Sequence, residues 1–179
     1  MEFQPFYGFL LDAALLLTPL AFVKFYEKKK LSEEFGFSLK PFGKTFFAAF
    51  KIFIALFVYL FIVSIVFAAA GLNDSGSVAE FAGNLAVQPL PLLAYFLVAR
   101  VFIEEFFFRA FLVPRIGIIG SSMAFGIAHS GYGSLQVVAG VTVLGVVLAV
   151  AFRQYKSLAA NFFAHMAYNA VIVLLILNS

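Results

Sequence analysis

The chain has no cysteine and no tryptophan, and only two histidines among its 179 residues. The missing cysteine excludes a disulfide framework, thiolate metal ligation and thiol catalysis, while leaving the compartment open. Charge is scarce too. Asp, Glu, Lys and Arg make up 12% of the residues, about half the share of a soluble domain. Hydrophobic residues make up 64%, and the mean hydropathy is +1.04. A water-soluble globule of this length cannot hide so much apolar surface, and a disordered chain needs the opposite composition. The net charge of +3 comes from lysines gathered near one membrane face rather than from a groove-lining patch, so nucleic-acid binding is excluded. What remains is an all-α, polytopic membrane bundle, a single transmembrane domain over residues 1–179.

A helix needs about 20 apolar residues to cross the hydrocarbon. Six runs qualify as candidate transmembrane helices: 6–25, 46–70, 92–112, 116–129, 135–152 and 158–177, the fourth being short for a full crossing. The first lacks a basic leading region and ends at Lys28-Lys29-Lys30, so it reads as a mature helix rather than a signal peptide. Seven lysines lie from Lys24 to Lys51, and Arg109, Arg115, Arg153 and Lys156 fall in the third and fifth connections. Asp74 and Glu80 lie in a stretch without Lys or Arg. Basic loops stay cytoplasmic, so loops one, three and five face the cytosol of a multi-pass plasma-membrane protein. The segment 31–44 is expected along that interface.

Ionisable residues inside a span cost about 2.5 to 3.5 kcal/mol each on insertion scales and face the bundle interior. Here they are Asp12, Arg100, Glu104, Glu105, His129 and His165, with Arg109 near a helix end. Counted from a turn near Pro114, Glu104 lies ~15 Å deep and His129 ~22 Å; His165 lies ~12 Å past Ser157. A kink at Gly117 or Gly120 would bring His129 level with the others. Glu105 and Arg109 stand four apart in the favourable acid-first order and can neutralise each other. Glu104 points about 100° away from that face as a free carboxylate, unless Arg100, four residues earlier, pairs with it as a silent salt bridge. Asp12 reads as a helix–helix hydrogen bonder, and Gly145 with Ala149 as small-residue helix packing.

Glu104-Glu105-Phe106-Phe107-Phe108-Arg109 resembles the EExxxR motif of the CAAX-protease and bacteriocin-processing family of intramembrane proteases. Phe125 to His129 resembles its FxxxH motif, and His165 to Asn169 its HxxxN motif. The resemblance covers a catalytic-motif core over 92–177, with Ala110 where the family commonly has glycine. The family includes the type II prenyl endopeptidase that trims the last three residues of prenylated CAAX proteins. It also includes bacterial relatives tied to bacteriocin immunity. The resemblance implies that Glu104 activates water with help from His129. It implies that His165 and Asn169 stabilise the oxyanion, and that Glu105 and Arg109 are structural or substrate-placing.

Peptide hydrolysis needs a nucleophilic water and a held oxyanion, which a buried carboxylate, imidazoles and an amide can supply. Zinc is the other reading. Glu104, His129 and His165 are a ligand set it accepts with an open fourth position, as the family's metalloprotease label suggests. The HExxH helix is missing, so direct water activation without a metal cofactor is preferred. The expected activity is an intramembrane endopeptidase acting on a membrane-associated peptide or prenylated protein, its site opening to the cytosol. The alternatives are a non-catalytic scaffold or immunity protein of the same fold and, ranked last, a proton or cation pathway. The expected partners are that substrate and the lipid bilayer; the sequence carries no signal for oligomeric state.

Overall fold

The structure is a computed structural model describing residues 5–35, 41–72, 76, 80, 83–84 and 87–177. Among the described residues there is no strand. Helix α1, Pro5–Ala21, opens on a proline and runs into a π-helical turn, Phe22–Tyr26. A short α2 spans Leu31–Glu34. Helix α3, Phe42–Ala69, starts after Pro41, whose extended backbone suits the residue before a helix. Of the proposed interfacial segment 31–44, residues 36–40 lie outside the described residues, as does Asp74.

Residues 90–112 form one helical run, here α4, that alternates between two pitches: α over Leu90–Ala94, π over Tyr95–Arg100, α over Val101–Glu104, π over Glu105–Leu112. Helix α5, Val113–Ala128, follows with Pro114 in its first turn, where a missing N–H costs nothing. Gly117, at φ 75° and ψ −179°, breaks α5 near its start, a backbone that only glycine adopts without strain. This is the kink expected from the sequence. A 3-10 turn, Ser130–Tyr132, leads to α6, Leu135–Tyr155, whose first turn is capped by Ser134 accepting from Val137 N–H. Helix α7 is Leu158–Leu177.

Among the described residues, four helices are long and apolar enough to cross a membrane: Gly8–Tyr26, Phe42–Ala69, Leu135–Tyr155 and Leu158–Leu175. The other two expected spans do not match them, for different reasons. The α4 run carries Arg100, Glu104 and Glu105 in its middle. Beyond the Gly117 break, α5 has a rod of only ~16 Å at 1.5 Å per residue, about half the hydrocarbon thickness.

The chain is an integral membrane protein with a polar seam. On α3 only Ala48, Ile52 and Leu56 are buried, a stripe at four-residue spacing, while Phe46, Phe47, Phe50 and Phe61 point outward. In water that ratio would be ruinous; in lipid the outward phenylalanines are at home. The α3 stripe packs on α7, and α5 packs on α6. Glycines make the second contact close. A Cβ on Gly126 would collide with the Thr142 hydroxyl, and one on Gly145 would sit 3.1 Å from Phe125 Cδ1 and 3.3 Å from Ser122 Cα. Gly145 and Ala149 are both buried, as the small-residue spacing implied.

At one end of the bundle, Arg115 donates to both carboxylate oxygens of Glu27 at 2.9 Å and to Glu34 at 2.8 Å. Lys29 faces the same two acids at 3.2 Å. This clasp ties the chain after α1 to the start of α5. Desolvation works against charge on Glu27, but Arg115 and Lys29 outweigh it and hold its carboxyl below the usual value of 4.5.

Candidate functional site

The three motifs converge on one aromatic ring. Phe125 is 1% exposed and lies at the α5 face that Gly145 lets approach α6. The Arg109 guanidinium sits 4.4 Å over its centroid. The His129 ring is 4.5 Å from it and the His165 ring 6.1 Å, with Phe108 at 5.0 Å on another side. Residues from α4, α5 and α7, far apart in sequence, are thereby packed into one cluster.

Glu105 is the most enclosed acid, fully buried. Its Oε1 accepts from His165 Nδ1 at 2.9 Å and its Oε2 from Asn161 Nδ2 at 3.2 Å; Arg109 Nε lies 3.5 Å from Oε2. The expected Glu105–Arg109 pair is therefore present, but it does not exhaust Glu105. A carboxylate accepts, so His165 Nδ1 is the donor and Nε2 is the ring atom left for another partner. Asn161 also donates to the Leu148 carbonyl at 2.8 Å and so ties α7 to α6. The sequence reading passed Asn161 over. Its signal was available: an amide inside a span, one turn before His165.

His129 ends α5. Its Nδ1 donates to the Phe125 carbonyl at 2.8 Å, so in the neutral ring Nε2 is the acceptor.

Glu104 is not the free carboxylate that its helical projection suggested. Arg100 Nε donates to its Oε1 at 3.3 Å, the pairing held open above as the alternative. The arginine in turn faces Asp12 Oδ1 on α1 at 3.8 Å, and Tyr95 Oη donates to Asp12 Oδ2 at 2.8 Å. Asp12 is the helix–helix hydrogen bonder expected from the sequence. The structure likewise sets His165 on Glu105 rather than beside Glu104. Asn169 follows His165 by one turn and is half-buried; among the described residues no hydrogen bond joins it to Glu104, His129 or His165.

A resident metal would need three such ligands within reach of one point. Among the described residues no three His, Asp or Glu side chains stand so, and Glu104, His129 and His165 do not form a ligand set. Glu104 is paired with Arg100, and His129 Nδ1 with the Phe125 carbonyl, instead.

The family model described as Type II CAAX prenyl endopeptidase Rce1-like matches residues 86–171, which hold all three motifs and stop short of the far end of α7. No curated protein and no solved structure matches. Over residues 86–171, where Arg109, His129 and His165 of the three motifs pack on Phe125, the chain is similar to the Rce1-like type II CAAX prenyl endopeptidases, a family of proteases.

Proposed function

We propose that the chain is an intramembrane endopeptidase that hydrolyses a peptide bond near the end of a membrane-associated or prenylated, CAAX-like peptide. The observation that carries this reading is the packing of Arg109, His129 and His165 against one ring, with Glu105 bonded to His165 and Glu104 beside it on the same helix. Glu104 takes a proton from water as its oxygen bonds to the scissile carbonyl carbon. His129 orients that water through Nε2, because its Nδ1 is committed to the Phe125 carbonyl. The developing oxyanion takes a hydrogen bond from the Asn169 amide. A second comes from His165 Nε2 when both ring nitrogens carry a proton, Nδ1 being held by the Glu105 carboxylate. The carbon–nitrogen bond then breaks, and the proton held by Glu104 passes to the leaving amine. Glu105, Arg109 and Asn161 hold the frame. No step uses a metal.

In this reading the active site faces the cytosol, and α4 and α5 complete a bundle of about six crossings in the plasma membrane. The test is hydrolysis of a quenched peptide, with and without a farnesylated cysteine, by the full chain in vesicles. Glu104→Ala removes cleavage while the protein still folds, and a chelator leaves wild-type turnover unchanged. Cleavage by Glu104→Ala at the wild-type rate overturns the assignment; loss of turnover on chelation restores the zinc reading.

A further inference from the structure

The family match begins at residue 86, yet one part of the site comes from outside it. Asp12 on α1 is 1% exposed and faces the guanidinium that touches Glu104. We propose that Asp12 and Arg100 are positioning residues for the Glu104 carboxylate: Asp12, anchored by Tyr95, holds Arg100, and Arg100 holds Glu104 Oε1 so that Oε2 is the oxygen presented towards His129. The inference rests on the reading of Glu104 as the water-activating group.

The geometry is a chain of contacts with a fixed end at each step. Tyr95 fixes Asp12 Oδ2 at 2.8 Å, which leaves Oδ1 towards Arg100. Arg100 Nε stands between that oxygen, at 3.8 Å, and Glu104 Oε1, at 3.3 Å. The guanidinium lies 5.5 Å over the Phe96 ring, which limits its tilt. Gly8, one turn before Asp12 on α1, leaves it room: a Cβ there would already touch Arg100 Nη1 at 3.5 Å. One cation serves two acids, so each acid sets where the cation rests. A planar guanidinium can hold two carboxylates in defined directions; an ammonium is a point charge and cannot. A helix–helix pair without this role would need only Tyr95 and Asp12.

The experiment measures kcat and KM on a quenched, farnesylated CAAX peptide with the full chain in phosphatidylcholine–phosphatidylglycerol vesicles, per mole of folded protein. Arg100→Lys keeps the charge and loses the fork. It lowers kcat on the order of 10²-fold, the scale of a misplacement of about 1 Å, with KM within about twofold. Asp12→Asn lowers kcat about tenfold. The double variant matches Arg100→Lys alone, because Asp12 acts through Arg100. A merely structural pair would lower the unfolding temperature and leave kcat per folded molecule in place. The second readout needs no turnover: the infrared carboxylate band that Glu104→Gln removes shifts in both Arg100→Lys and Asp12→Asn. Wild-type kcat in Arg100→Lys, additive losses in the double variant, or an unmoved band overturns the positioning role while Glu104→Gln is inactive. Wild-type turnover in Glu104→Gln overturns the reading beneath it instead.

Discussion

Arg100 with Glu104, and Glu105 with Arg109, are both pairs four residues apart on α4, yet they live in different surroundings. The first pair is 27% and 9% exposed at its side chains; the second is sealed at 0% for both. The sealed pair runs acid-first and is braced by Asn161 and His165. Two charges taken out of water cost more than they return unless further hydrogen bonds satisfy them, which is what those two residues supply to Glu105. The open pair runs arginine-first and reaches across to Asp12 on α1. Identical residue types thus do two jobs: one pair frames the histidine on α7, and the other, in the proposed mechanism, presents a carboxylate to His129.

That contrast can be broken from the sealed side first. Arg109→Ala leaves Glu105 charged and buried without its cation, and should destabilise the protein by about 3 to 5 kcal/mol, read as a large fall in unfolding temperature in detergent. Next comes the wall that carries Phe125 and His129. Gly126→Ala forces a methyl into Thr142, with an expected loss of about 3 kcal/mol that Thr142→Ala restores in part. Asn161→Ala takes one donor from Glu105 and one from the Leu148 carbonyl, and should cost about 1 to 2 kcal/mol. The smallest effect belongs to the clasp at the bundle end. Glu27 has its carboxyl held below 4.5 when folded, so its contribution is complete above about pH 4.5 and is lost as pH falls below it. The unfolding temperature should fall with acid below that point, and less so in Glu27→Gln.

Much of this was legible in the residues. The three motifs were legible through the family resemblance, while a break at Gly117 or Gly120, the inter-helix role of Asp12 and the close packing at Gly145 followed from spacing, glycine and the rarity of charge inside a span. The facing of the acids did not. A constant 100° per residue set Glu104 apart from the Glu105–Arg109 face with Arg100 as its alternative partner, and did not show that His165 and Asn161 share Glu105. The real α4 alternates α with π turns, whose i→i+5 bonds widen the pitch and re-aim every residue after them. No residue type marks such turns, so the projection drifted. Asn161 was missed because it carries no charge, although a buried amide in a span needs partners as urgently as an acid does. Phe125 was one phenylalanine among 26, and only tertiary contact distinguishes the ring that both histidines touch. Of the six expected spans, four appear among the described residues as helices long and apolar enough to cross, because α4 carries charges in its middle and α5 is cut short by a glycine.

The division of labour between the neighbouring glutamates is tested most directly by comparing Glu104→Gln with Glu105→Gln, each scored for single-turnover peptide cleavage and for unfolding temperature. Glu104→Gln should unfold where the wild type does and cleave nothing. Glu105→Gln should unfold at a clearly lower temperature. Wild-type cleavage by Glu104→Gln, or an unchanged unfolding temperature in Glu105→Gln, would contradict it.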